Sequence, residues 1–232
     1  MNEEQMSLNP FNDLSLVQEY EDWYTNQGRL EDCLEKTLLE WLIGHIQEPI
    51  SILDVGCGTG HFTRWFSSIG LRAVGFDISS AMLAEASQRG LRVAVQGDAL
   101  HLPFEDHAVD LVAMITSIEF VEDPSIALRE ATRVAKKGVF LGAINRESWI
   151  GREYQQQGGP IWQSAHLFTP DELIQMLGAI KDSASDPFWR TTLWRFFPWV
   201  LPLPWGGFIG IGLRLKSNDQ SHSPAPSGPL FL

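Results

Sequence analysis

Across residues 29–46 the positions Leu30, Cys33, Leu34, Thr37, Leu38, Trp41 and Leu42 recur at helical spacing, with Glu31, Asp32, Glu35 and Lys36 between them. That is the pattern of an amphipathic helix. Pro49 stops it, and the short β-rich run at 50–55 is the kind of strand that a sheet covered on both faces requires. Gly56 to Gly60 then form a turn, and Phe62, Trp65, Phe66 and Ile69 resume the helical period until Gly70. The rhythm continues with a strand at 71–76, a helix at 79–89 ending at Gly90, and a third strand at 91–95. A fourth strand at 109–115, a helix at 124–134 and a fifth strand at 139–144 follow. Strands alternating with helices predict a parallel sheet with right-handed crossovers.

Beyond residue 145 the texture changes. Residues 145–166 are polar, rich in Gly and Gln, and read as irregular, whereas Thr169-Pro170-Asp171-Glu172 opens a helix with a capping threonine and a proline at its first position. Strands at about 188–197 and 207–215 complete the sheet. Residues 1–19 read as a partly flexible arm, 20–215 as the domain, and 216–232, rich in Ser, Pro and Asn, as a disordered tail. No internal repeat is present.

The uncharged run from residue 196 to 213 is eighteen residues long, enough to span a bilayer by length alone. Pro198, Pro202 and Pro204 break helical hydrogen bonding, and four glycines at 206, 207, 210 and 212 weaken what remains. A Pro-rich loop leading into a buried strand is the expected outcome, with no transmembrane segment.

Charge and cysteine content narrow the function classes. With 17 Lys plus Arg against 29 Asp plus Glu, the net charge of −12 repels nucleic-acid phosphates. The acidic, polar start lacks the basic and apolar regions of a secretory signal, so a cytoplasmic protein is expected. Cys33 and Cys57 have no spacing that suggests a zinc site or a disulfide, and no metal is expected. At 232 residues one domain is expected, as a monomer or homodimer.

The strongest chemical signal is Asp54-Val-Gly56-Cys57-Gly58-Thr-Gly60 between a strand and a helix. Glycines at alternate positions allow a sharp turn and close approach of backbone to a ligand, and the helix that follows offers unpaired N–H groups. The dinucleotide pattern G-x-G-x-x-G would need its last glycine at His61, and a P-loop would need Lys and Ser/Thr after Gly60. Neither is there. Asp77 at the tip of the second strand can accept both hydroxyls of a ribose. Asp98 after the third strand can accept an adenine amino group, with Ala99 leaving room for the ring.

In this order the segments Ile52-Leu-Asp-Val-Gly-Cys-Gly-Thr-Gly60, Val74-Gly-Phe-Asp-Ile-Ser79 and Gly97-Asp-Ala-Leu-His-Leu-Pro-Phe104 resemble the class I S-adenosylmethionine-dependent methyltransferases. The stretch from Val109-Asp-Leu-Val112 to Asp123-Pro124 is similar to their fourth strand, and the branch resembled includes the ubiquinone/menaquinone-biosynthesis enzymes. The resemblance covers about residues 20–145. It implies an α/β, Rossmann-like three-layer sandwich with a seven-stranded, mostly parallel sheet in the order 3-2-1-4-5-7-6, the last strand antiparallel. It also implies S-adenosylmethionine as cofactor and a small-molecule methyl acceptor. Carried over, it gives Gly56, Gly58 and Gly60 to close approach, with Cys57 beside them, and Asp54 to the methionine amino group. Asp77 goes to the ribose, Ile78 and Met82 beside the adenine, Asp98 and Ala99 to the base edge, Ile115 and Thr116 beside the sulfonium, and Tyr24 to a lid.

Many such enzymes carry two histidines after the fourth strand, where this chain has Glu119-Phe120. If the acceptor must lose a proton, His166, Glu119 and Tyr154 are the candidate bases; a histidine beside Phe168 is otherwise a packing residue. Competing readings are a cofactor-binding module without transfer activity, an oxidoreductase opposed by the glycine spacing, and an RNA or protein methyltransferase opposed by the acidic charge. Six of the nine tryptophans follow residue 145. The favoured reading puts them in a core under the second half of the sheet; the alternative is an aromatic acceptor mouth or a surface resting on a membrane that carries a lipophilic acceptor.

Overall fold

The runs that are apolar on both faces become the middle of a sheet. The computed structural model describes residues 10–13, 28–180, 185–192 and 199–216. Its seven strands are β1 (Ser51–Val55), β2 (Arg72–Asp77), β3 (Ala94–Gln96), β4 (Val109–Ile115), β5 (Ala135–Ile144), β6 (Phe188–Thr192) and β7 (Phe208–Arg214). They lie in the order β3-β2-β1-β4-β5-β7-β6, as expected. Strands β1 to β5 pair in parallel, and β7 runs antiparallel to both neighbours.

The helices are α1 (Arg29–Gly44), α2 (His61–Ser68), α3 (Ser80–Gln88), α4 (Pro124–Val134), α5 (Trp149–Gln157), α6 (Gly159–Ser164) and α7 (Pro170–Gly178). Period-two alternation along the strands feeds two separate cores. Leu53, Val55, Val112 and Met114 pack with Leu128 of α4 and Leu173 of α7. Ile52, Leu111, Ala113 and Ile115 face the other way, against Leu38 and Leu42 of α1 and Phe62 and Phe66 of α2. Helix α7 starts as the sequence requires, with a complete capping box between Thr169 and Glu172.

Several boundaries differ from the sequence reading. Strand β3 has only three residues, while β5 begins at Ala135, four residues before the expected start, because it pairs with β4 from Val109 onward. Residues 145–166 are not irregular. Ser148 caps α5 by accepting the Gly151 N–H at 2.9 Å, and Pro160 sits in the first turn of α6. The Gly and Gln composition concealed these local signals. The expected last strands keep their places, although residues 193–197 of the first lie outside the described set, as do residues 217–232 of the tail. Among the described residues no helix is long and apolar enough to cross a membrane, and 208–214 form the buried strand β7.

Two polar anchors fix loops that connect to the ligand-binding end. Asn145, fully buried, donates through Nδ2 to the carbonyls of Pro204 (2.7 Å) and Gly206 (2.9 Å), tying the Pro-rich loop to the end of β5. Arg133 on α4 donates to Leu102 O (2.9 Å) and Phe104 O (2.7 Å), and Glu130 accepts the Leu102 N–H at 2.8 Å. These bonds hold the β3–β4 loop, whose first residues are Gly97 to Leu100. Arg133→Ala should therefore lower stability by about 1–3 kcal/mol, through loss of charge-assisted bonds to carbonyls. Urea denaturation measures that cost. Hydrogen exchange should rise selectively across residues 98–104, and unaltered protection there would contradict the assigned role.

Candidate active site

At the carboxyl ends of β1 and β4 the chain departs in opposite directions, and the crevice left between neighbouring strands is where open α/β sheets bind ligands. A cavity of about 440 Å³ lies there, within the range of small-molecule sites. Its floor is set by Asp77. One carboxylate oxygen accepts the Gly58 N–H at 2.7 Å and the other accepts the Ser79 N–H at 2.8 Å, so one side chain fixes both the glycine loop and the start of α3. Gly56 has φ +75°, and a Cβ there would stand 2.3 Å from that of Ser117. Any other residue would push the loop off the end of β4. Ser117 itself donates to Val55 O at 2.9 Å, joining the two strand ends. Between them Thr116, a β-branched residue at φ +47°, sits in a sterically costly conformation on the cavity wall.

Eight of the residues singled out from sequence line this cavity: Gly56, Gly58, Asp77, Ile78, Met82, Asp98, Ala99 and Thr116. Asp54, Cys57, Gly60 and Ile115 do not. Strand alternation explains two of these departures, because Asp54 and Ile115 point to the α1–α2 face while their neighbours Val55 and Met114 meet the cavity. Asp54 instead accepts the Thr63 hydroxyl at 2.5 Å. Cys57 packs against Gly75, where an added Cβ would lie 2.8 Å from its sulfur. Gly60 turns into α2 as its N-cap. Tyr24 lies outside the described residues.

The sequence reading missed Phe11, Ser117, Phe120 and Trp162, which also line the cavity. Phe11 belongs to a short 3-10 turn, Pro10–Asn12, that lies against Ser79. The Ser79 hydroxyl is within reach of Phe11 O (2.7 Å) and Asn12 Oδ1 (2.8 Å), and it accepts the Met82 N–H at 3.1 Å. The ring of Phe11 meets Phe120 edge-on at 4.8 Å. A contact across some 68 positions of sequence leaves no local signal. The alternation of Val55 and Met114, by contrast, was available.

None of the three candidate bases reaches the cavity wall. His166 is exposed, its ring edge-on to Phe168 at 4.8 Å, and its backbone N–H donates to Glu119 O at 2.7 Å. Tyr154 lies face to face with Trp162 at 4.1 Å, and burial together with the nearby Glu35 and Glu31 pushes its pKa up to about 12. Glu119 is buried in the 3-10 turn Ile118–Phe120. It accepts the Ile144 N–H at 2.9 Å through one oxygen, and its other oxygen has no partner among the described residues. Burial raises its pKa to about 7.

Burial likewise raises Asp54 to about 7, and it raises Glu35 on α1 to about 8, with Asp32 and Glu31 reinforcing the shift at Glu35. Burial would also raise Asp32, but bonds from His61 (2.6 Å) and Lys36 (2.6 Å) reverse the effect and hold it below the ordinary range. That His61–Asp32 contact ties α1 to the start of α2 beside the glycine loop.

The expected tryptophan core is absent. Among the described residues no tryptophan is fully buried: Trp162 lines the cavity, Trp189 is half-buried, and Trp149, Trp199 and Trp205 are exposed. Trp194 lies outside the described residues. Trp189 on β6 and Trp162 on α6 pack at the edges of the two cores, and Trp149, Trp199 and Trp205 sit at the start of α5 and in the Pro-rich loop.

Residues 53–142 match the family described as a methyltransferase domain. The chain is 32% identical over 166 residues to an uncharacterised protein of Methanocaldococcus jannaschii, covering 69% of this chain and 76% of the other. It is 30% identical over 165 residues to the ubiquinone biosynthesis O-methyltransferase of Hahella chejuensis, covering 61% and 68% respectively. Among solved structures, one from Thermotoga maritima is described as a SAM-dependent methyltransferase, possible histamine N-methyltransferase. It superposes with a TM-score of 0.73 at 28% identity over 88% of this chain and 98% of that one.

The buried acids make a stability prediction. Glu35 binds a proton in the folded chain at pH values where the unfolded chain does not, between 4.5 and about 8. Its stability contribution is therefore intact below the lower value and falls as pH rises toward the upper one. Asp54 and Glu119 act with the same sign up to about 7. Glu35→Gln should flatten the slope and gain roughly 1–3 kcal/mol over the wild type near pH 8.5, by removing an uncompensated buried charge. Urea denaturation near pH 5.5 and 8.5 checks this, and a variant less stable at the higher pH would refute it.

Proposed function

Because the chain belongs to the class I S-adenosylmethionine-dependent methyltransferases, in the ubiquinone- and menaquinone-type branch, we propose that its cavity holds the adenosyl group between Asp77 and Asp98 and methylates a small molecule entering past Phe120 and Trp162. The observation that carries this reading is the convergence of Gly56, Gly58, Asp77, Asp98 and Ala99 on one cavity. The fit is chemical as well as spatial. Gly56 offers a wall with no Cβ. Each Asp77 oxygen accepts one backbone N–H and retains a lone pair for a ribose hydroxyl. Asp98 accepts the Leu100 N–H at 2.9 Å, which orients its carboxylate at the rim. Ile78 and Met82 supply apolar surface for a purine face.

When bound, the cofactor supplies a methyl group on a positively charged sulfur, which leaves by in-line displacement. The chain's part is alignment and exclusion of water. Thr116 and Ser117 at the end of β4, with Phe120 beyond them, form the wall along which an acceptor lies, and Phe11, edge-on to Phe120, continues that wall toward Ser79. Correct placement of the two reactants can supply about 7–11 kcal/mol of the barrier. His166, Glu119 and Tyr154 stand behind the wall, so in this reading none of them takes a proton directly from the acceptor.

A second reading concerns where the acceptor comes from. Trp149, Trp199 and Trp205 are 43%, 56% and 68% exposed, and Leu203 is 38% exposed beside them in sequence. Rings of this kind suit a membrane interface and a lipophilic acceptor. Flotation with neutral phosphatidylcholine vesicles tests it: co-flotation lost in Trp205→Ala is expected, and a protein that stays at the bottom removes the reading.

For the principal reading, mass spectrometry of the purified protein should find S-adenosylhomocysteine. Asp77→Ala should weaken its binding by roughly 1–3 kcal/mol in calorimetry, through lost charged hydrogen bonds to the ribose and a loosened Gly58. An unchanged affinity would take Asp77 out of the site.

A further inference from the structure

One group of side chains is unexplained by cofactor binding. Glu31 and Glu35 on α1 and Glu119 after β4 gather on the α1 side of the cavity, close enough that Glu31 and Glu119 both act electrostatically on Glu35. Glu35 is 4% exposed and Glu119 1% exposed. One carboxylate oxygen of Glu119 and one of Glu31 are buried without a hydrogen-bond partner among the described residues. Buried carboxylates are ordinarily paired or fully hydrogen-bonded, and an orphaned oxygen calls for an explanation. The nearby cation Lys36 is already bound to Asp32 at 2.6 Å. Tyr154 and Glu153 of α5 add a hydroxyl and a further acid rather than a base. Among the described residues, no set of acids and histidines converges in a way that could hold a metal ion.

This acidic group lies one side-chain layer behind the acceptor end of the cavity. Glu119 sits between Ser117 and Phe120, both on the wall, and Tyr154, within the field of Glu35 and Glu31, stacks on Trp162, also on the wall. Phe11 and Phe120 complete an aromatic surface, and Glu122 lies at its edge. An aromatic face attracts cations, and negative charge behind the ring in a medium of low dielectric strengthens that attraction. We propose that the methyl acceptor carries a protonated amine, received on the faces of Trp162 and Phe120 and held there by the uncompensated carboxylates of Glu31, Glu35 and Glu119. This rests on the methyltransferase reading of the same cavity. A cation at this place also accounts for keeping Glu35 and Glu119 buried where they cost stability.

The test is calorimetry on the protein already saturated with S-adenosylhomocysteine. Binding of that compound is measured first: its failure would overturn the methyltransferase reading and this proposal with it, whereas failure of the amine arm alone would overturn only this proposal. The probes are then 2-phenylethylamine and its uncharged counterpart 2-phenylethanol. The amine should bind at least about tenfold more tightly, a difference of about 1.4 kcal/mol. Glu35→Gln and Glu119→Gln should each remove most of that preference while leaving the affinity for S-adenosylhomocysteine unchanged. In the wild type, amine binding near pH 7.5 should release protons as the raised carboxyls ionise, read from the difference between phosphate and Tris buffers. That measurement needs no variant to fold. Equal binding of the two probes, no binding of either at millimolar concentration, or a preference untouched by both substitutions would overturn the proposal. So would weaker binding of S-adenosylmethionine but not S-adenosylhomocysteine in Glu35→Gln with the amine preference kept, since the acids would then serve the sulfonium.

Discussion

The site depends on one carboxylate that is hydrogen-bonded on both sides. Asp77 takes the Gly58 N–H on one oxygen and the Ser79 N–H on the other, so the loop after β1 and the helix after β2 are set by the same side chain. Phe76 O, one residue earlier, accepts from both Gly56 N (2.7 Å) and Cys57 N (3.0 Å). Ser79 extends the network to the N-terminal turn that carries Phe11. A change at any member of this chain would be felt at the others, because interactions within one hydrogen-bond network do not act independently.

Around that anchor the two faces of the sheet have different tasks. The face packed with α4 and α7 carries Val55 and Met114 up into the cavity, and α4 also holds the loop of Asp98 through Arg133. The face packed with α1 and α2 is apolar below, under Leu38, Leu42 and Phe66, but acidic above, where Glu35 and Glu119 are buried. A chain selected for stability alone would place apolar side chains at those two positions. Their position behind the aromatic wall links the cost in stability to recognition of the acceptor.

How much of this was legible follows from the range of the interactions. The glycine loop, the tips of β2 and β3 and the capping box of α7 are written in residues close in sequence, and they stand where the pattern puts them. Strand order came from family resemblance rather than periodicity. Asp54 and Ile115, assigned by resemblance, stand one position of alternation from the cavity-lining Val55 and Met114 and face α1 and α2. Phe11 and Trp162 reach the cavity from distant segments whose docking has no local signature. The exposed tryptophans ran against the usual preference of large aromatic rings for partial burial, and no local pattern marks Trp149, Trp199 or Trp205 as exposed.

The most direct measurement is a crystal structure of the protein with S-adenosylhomocysteine. The account predicts the ribose on Asp77, the adenine edge beside Asp98 and Ala99, and the sulfur directed toward Thr116 and the aromatic wall. An adenosyl group bound elsewhere, or one in this cavity with Asp77 and Asp98 making no contact to it, would contradict the account.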